Sequence, residues 1–131
     1  MLSHASPVSA LVVSYHTGPA LWACLDGLAA APEVGQIIVV DNGNPPEVSD
    51  QLRAMAATGR LALIEGQGNI GFAAANNRAA ALATGTELLL INPDVTLAPG
   101  AVAALRAAGT GQARPTLVGG CLVDHAGAEQ R

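Results

Sequence analysis

A chain of 131 residues, half of them hydrophobic and 12% charged, is long enough for one domain that buries roughly two-thirds of its unfolded surface. That composition excludes a disordered chain, and a formal charge of -4 with six scattered arginines and no lysine disfavours a nucleic-acid backbone as partner. Much of the apolar share is alanine, so the core has to come from Val, Ile and Leu.

Taken in chain order, four short aliphatic runs alternate with alanine-rich helical stretches, the pattern of βα units around a parallel sheet. The runs are Val8 to Ser14, Gln36 to Asp41, Leu61 to Glu65 and Glu87 to Ile91. ALVVS, IIVV and LLLI are apolar at consecutive positions, which predicts strands covered by helices on both faces. Between the first two, Leu21, Cys24, Leu25 and Leu28 recur at helical spacing and predict one stripe facing the sheet. The next helix is expected from Pro46 to Thr58, ending before Gly59, and the third from Gly71 to Ala83. A fourth is expected from Pro99 to Ala108, and then a fifth strand from Thr116 to Val123. Cys24 and Cys121 fit neither a zinc spacing nor a disulfide framework and read as reduced core residues. No apolar run approaches the roughly 20 residues of a membrane span, and no secretory leader is visible, which points to a soluble, cytoplasmic chain.

Ligands of open parallel sheets bind beyond the carboxyl ends of the strands. Ser14-Tyr15-His16 follows the first strand, Asp41-Asn42-Gly43-Asn44 the second, Gly66-Gln67-Gly68-Asn69 the third and Asn92-Pro93-Asp94 the fourth. The opposite ends look bare of such groups. With strand order 3-2-1-4, Tyr15, Asp41 and Asp94 would lie side by side across one crevice. Asp41 suits hydrogen bonds from a base or ribose, and Asp94, beside a proline, suits a hard divalent cation such as Mn2+ or Mg2+. The glycine-rich turn from Gly68 to Phe72 delivers a helix N-terminus where phosphate oxygens are welcome. Asn76 and Asn77 are unfavourable that far inside a helix unless one meets a polar group.

With these residues in place, the chain resembles the family-2 glycosyltransferases, and more narrowly their bacterial rhamnosyltransferase-like members. The matching segments are VSALVVSYHTGPALWACLDGLAA, IIVVDNGN, GNIGFAAANNRA, LLLINPDVTLAPGAV and, more weakly, VGGCLVDHAGAEQ. The resemblance implies an α/β, three-layer, Rossmann-like GT-A fold with a mostly parallel sheet, truncated at the C-terminus. It implies a UDP- or dTDP-linked sugar bound by Ser14, Tyr15, Asp41, Asn42, Asn69, Gly71, Asn76 and Asn92, with Asp41 on the base. Asp94 would hold the metal, in the place of the Asp-x-Asp motif. It also implies transfer with inversion to a glycan or lipid-linked acceptor in cell-surface polysaccharide synthesis, at the inner face of the membrane. Residues 1–131 would form the nucleotide-sugar-binding half, inactive alone because the general base and acceptor surface lie in the other half.

The chain departs from the family pattern at three places. Asn92 replaces the first carboxylate, the usual Asp-Asn-Gly-Ser-x-Asp-Gly turn reads Asp41-Asn42-Gly43-Asn44-Pro45-Pro46, and Ala75 stands where glycine is common. Asp41 and Asp94 also have plainer readings as turn residues. His16 reads as a solvated loop residue, His4 and His125 carry no assignment, and Trp22 and Phe72 read as packing residues. The rival functions are a non-enzymatic nucleotide-binding or interaction module and a dinucleotide-dependent oxidoreductase. The latter needs Gly-x-Gly-x-x-Gly where Ser14-Tyr15-His16-Thr17-Gly18 stands, and a P-loop or receiver-like domain needs a lysine.

Overall fold

The computed structural model describes residues 6–130, so His4 and Arg131 lie outside it. Two compact units divide the chain after Leu97. The first contains β1 (Val8–Tyr15), α1 (Ala20–Ala30), β2 (Val34–Gly43), α2 (Pro46–Ala57), β3 (Ala62–Ile64), α3 (Phe72–Leu82) and β4 (Glu87–Ile91). Its four strands form one parallel sheet in the order β3-β2-β1-β4. This is the predicted α/β architecture of a GT-A-like glycosyltransferase. β2 outruns its predicted bounds at both ends because it is an interior strand, paired with β1 from Val34 to Gly43 with register shifts near each end.

Alternate strand residues feed two separate cores, as the two-residue period of a strand requires. Ala10, Val12, Ile37, Val39 and Ile91 point to one face, where Leu21, Cys24, Leu25 and Leu28 of α1 and Leu52 of α2 pack. The predicted stripe of α1 is thus the buried one, and each of its leucines contributes about 2 kcal/mol on burial. Leu11, Val13, Ile38 and Val40 point to the other face, against Ala75 and Ala79 of α3. Both alanines are fully buried, so α3 rides close on β1 and β2, and a small residue at position 75 follows from that approach.

Three expectations need correction in this unit. β4 is covered on one face only: Leu88 and Leu90 pair with Ser9 and Leu11 on the α3 side and stay about half exposed, because α3 packs over β1 and β2. Phe72 is 55% exposed at the first turn of α3 rather than packed. The amino-terminal ends of the strands are not bare. Gln36 Oε1 accepts hydrogen bonds from Ser9 Oγ at 2.7 Å and from the Thr84 N–H at 2.9 Å, while its Nε2 donates to the Leu82 carbonyl at 3.1 Å. A β-carbon on Gly85 would sit 2.4 Å from the Pro7 carbonyl, so glycine is required for this end to close.

The second unit holds α4 (Ala101–Gly109) and the tail. α4 starts two residues later than predicted because Gly100, at φ 77°, interrupts the chain after Pro99. The expected fifth strand does not form: Thr116 to Leu122 find no partner strand, and an isolated antiparallel bridge joins Val123 to Glu129. Asp124 closes that hairpin by accepting hydrogen bonds from the Ala126 and Ala128 N–H groups, both at 2.9 Å. Cys121 is exposed, not a core residue. Among the described residues no helix is long and apolar enough to cross a membrane.

Candidate functional site

Because all four strands run parallel, the polar turns that follow them emerge on one edge of the sheet. β1 lies between β2 and β4, so Asp41 and the Asn92-Pro93-Asp94 turn are two strand spacings apart, about 10 Å. Between them stands Tyr15, 54% exposed, with the His16 ring edge-on at 4.4 Å between centroids. Gly43 makes room for this aromatic: a β-carbon there would meet the Tyr15 ring at 3.3 Å. His16 has φ 46°, a strained value for a residue with a side chain, and its N–H donates to the Gly43 carbonyl at 2.8 Å.

The ends of β1 and β2 are bound together through Asn44, which sequence reasoning did not select. Its Oδ1 accepts from the Thr17 N–H at 3.0 Å, and its Nδ2 donates to Asp41 Oδ1 at 2.8 Å and to Ser14 Oγ at 2.9 Å. Ser14 is fully buried and its hydroxyl is engaged by Asn44 and by Thr17 at 2.9 Å. Asp41 is 7% exposed; Oδ1 also accepts from the Gly43 N–H at 3.0 Å, and Oδ2 from Ser49 Oγ of α2 at 2.5 Å. Three donors therefore hold a carboxylate with about four acceptor positions, leaving it one for a ligand.

On the β3 side, Asn42 is 2% exposed and its Nδ2 donates to the Gly71 carbonyl at 3.2 Å. Gln67 Nε2 donates to the Asp41 carbonyl at 2.7 Å and to Asn42 Oδ1 at 3.3 Å. Asn69 is exposed, with Oδ1 accepting from the Gly71 N–H at 3.0 Å, and Gly71, at φ 83°, caps α3. Asn76 is buried and its Nδ2 bonds back to the Phe72 carbonyl four residues earlier at 3.0 Å, whereas Asn77 is exposed.

Beyond β4, Asn92 and Asp94 are both exposed. The turn is braced from below by Cys24 of α1, whose thiol donates to the Asn92 carbonyl at 3.6 Å. Burial pushes the Cys24 thiol up to about 11, and the negative charge of Asp94 adds to the rise. An unfolded thiol near 9.0 releases its proton earlier, so this group's contribution to stability is present below pH 9 and lost as pH rises toward 11. In the folded chain at pH 8, a thiol reagent is expected to label Cys121 and spare Cys24. Rapid labelling of both in the native state would contradict the burial.

The profile of Glycosyl transferase family 2 matches residues 9–109. The chain belongs to glycosyl transferase family 2. Comparison with curated proteins finds no match. Among solved structures, the crystal structure of S. aureus TarS is similar, with a TM-score of 0.63 at 20% identity over 76% of this chain. The structure of S. aureus TarS 1-349 aligns with a TM-score of 0.62 at 20% identity over 78% of this chain. These likenesses concern the fold. The chain spans 19% of the first and 31% of the second.

For a family-2 glycosyltransferase, the structure brings Ser14, Tyr15, Asp41, Asn42, Asn92 and Asp94 to the same sheet edge, with Asn69 and Gly71 in the loop tied to β2. Asn76 sits inside α3 with its amide on the helix backbone. Asn44 and Gln67 are the residues missed, and their signal was available as polar side chains in the two turns flanking Asp41. A shallow depression of about 410 Å³, lined by Val34, Gly35, Arg60 and Leu61 among others, lies at the opposite end of the sheet. Among the described residues no three His, Cys, Asp or Glu side chains cluster as a metal cage.

Proposed function

We propose that this chain binds the nucleoside-diphosphate sugar of an inverting transferase. The observation that carries the reading is the emergence of Asp41 and Asp94 on one sheet edge with the exposed Tyr15 between them. The base lies against Tyr15 and takes the remaining acceptor position of Asp41. The diphosphate runs past the N-terminus of α3 and Asn69 toward Asn92 and Asp94, with Asn92 hydrogen-bonding a ribose hydroxyl.

A single exposed carboxylate suits a hard cation that arrives with its nucleotide and keeps water and phosphate oxygens as its other ligands. Asp94 would hold such a Mn2+ or Mg2+, with the Asn92 amide beside it, and the ion when bound neutralises charge on the leaving diphosphate. In the transfer itself, the acceptor hydroxyl oxygen bonds to the anomeric carbon as the bond to the diphosphate breaks, and the hydroxyl proton goes to a general base of the transferase. The acceptor is a glycan or lipid-linked glycan at the cytoplasmic membrane face, and dTDP-rhamnose is the first donor to test.

UDP or dTDP with Mn2+ is expected to raise the melting temperature, with about 2.7 kcal/mol of stabilisation at a hundredfold excess over Kd. NAD is expected to leave it unchanged. A response to NAD and none to either nucleoside diphosphate would overturn the reading.

A further inference from the structure

Gln67 lies between the glycines at φ 86° and φ 67° in the turn after β3, and its Oε1 is buried without a hydrogen-bond partner. The amide cannot be reversed to cure this, because Oε1 would then sit 2.7 Å from the Asp41 carbonyl, acceptor against acceptor. An unpaired buried acceptor costs free energy that an apolar side chain in the same place would not. What the glutamine supplies in return is the pair of hydrogens on Nε2.

Those hydrogens begin a relay. Nε2 holds the Asp41 carbonyl and Asn42 Oδ1, and Asn42 Nδ2 in turn holds the carbonyl of Gly71, the residue that caps α3. Asn42 is 2% exposed, so the relay runs inside the protein rather than along a ligand-facing surface. It joins the end of β2, where the carboxylate of Asp41 projects, to the start of α3. A conflict between a local rule and the fold, retained at such a junction, marks a functional constraint.

We infer that Gln67 and Asn42 are positioning residues for donor binding, fixing the separation between the base-side turn of Asp41 and the phosphate-side N-terminus of α3. This rests on the donor-site reading above. A ligand that touches both ends gains from having them already set at the right distance, whereas a ligand that touches one end gains nothing.

The test compares UDP with uridine, each titrated with Mg2+ present and followed by NMR chemical shifts in the wild-type chain, Gln67→Met, Asn42→Leu and the double variant. Each single substitution is expected to weaken UDP about tenfold and leave uridine within about twofold. The double variant is expected to be no weaker than either single one, because the two residues act in series. Gln67→Leu, which also lacks both amide hydrogens and puts no oxygen against the Asp41 carbonyl, replaces the methionine variant if that one does not fold. UDP affinity unchanged in the variants, equal losses for UDP and uridine, or losses that add in the double variant would each overturn the inference while leaving the donor site standing. Where the wild-type chain binds dTDP rather than UDP, dTDP and thymidine are the pair compared, and failure to bind any of the four would overturn the donor-site reading, and the positioning role with it.

Discussion

Asp41→Ala is expected to destabilise the fold by about 3–5 kcal/mol, measured by urea denaturation, a large share of what a domain of this size possesses. The magnitude follows from the partners. Three hydrogen bonds converge on one nearly buried carboxylate, and the Gly43 N–H, the Asn44 amide and the Ser49 hydroxyl would all lose their acceptor together. Asn44 would also lose the contact that orients it toward Ser14 and Thr17, so the loss spreads from β2 to β1. Asp41→Asn keeps the shape and one oxygen, and is expected to cost roughly half as much. A ligand-facing aspartate with no structural duty would change stability by less than about 0.5 kcal/mol on truncation, so a result near that value would show that the carboxylate does not organise the turn.

Asp94→Ala is expected to act in the opposite way, leaving stability within about 0.5 kcal/mol and removing the metal dependence of nucleotide binding. Its carboxylate is exposed, so the fold loses little with it. In the proposed donor site it is the carboxylate that would meet a diphosphate-borne cation. Loss of a direct ligand exceeds loss of the groups that merely orient one, so UDP affinity measured with Mn2+ should fall on the order of 100-fold. With a chelator present, the variant should bind UDP at least as well as wild type, because a carboxylate without its cation repels the diphosphate. A loss in the variant that persists without metal, or an unchanged affinity with it, would remove Asp94 from the proposed metal site. In an enzyme that includes this segment, the same substitution is expected to slow transfer by at least about 100-fold.

How much could be read from the residues alone differed between the two kinds of structure. Consecutive apolar residues in ALVVS and IIVV, and the spacing of Leu21, Cys24, Leu25 and Leu28, are direct imprints of burial, and they specified the strands and α1 closely. The order 3-2-1-4, taken as the condition for a shared crevice, is the order observed, and it brings Asp41 and Asp94 to one edge. LLLI misled because a run of leucines has the same appearance whether one face or both are covered. The tail misled in another way: TLVGGCLV has strand character, but a strand needs a neighbour, and among the described residues its pairing is confined to the isolated bridge from Val123 to Glu129.

The polar residues were legible in position and much less so in role. Asn42, Asn44, Ser14 and Gln67 lie at or just past the carboxyl ends of the strands, yet their side chains are largely engaged with one another and with the backbone. Composition and spacing cannot distinguish an amide that faces solvent from one that braces a neighbouring turn. The Gln36 network was overlooked for a related reason, since a lone glutamine at the start of a strand carries no local signal of the Thr84 N–H and Leu82 carbonyl it will meet.

The uncovered side of β4 has a bearing on how such measurements are made. Leu88-Leu89-Leu90-Ile91 is an uncharged segment with strong self-pairing tendency, and two of its leucines are already half exposed in the native fold. Copies that open on heating expose it further and can pair through it. The nucleotide-dependent rise in melting temperature is therefore to be read at dilute protein and over a range of heating rates, where it depends on neither.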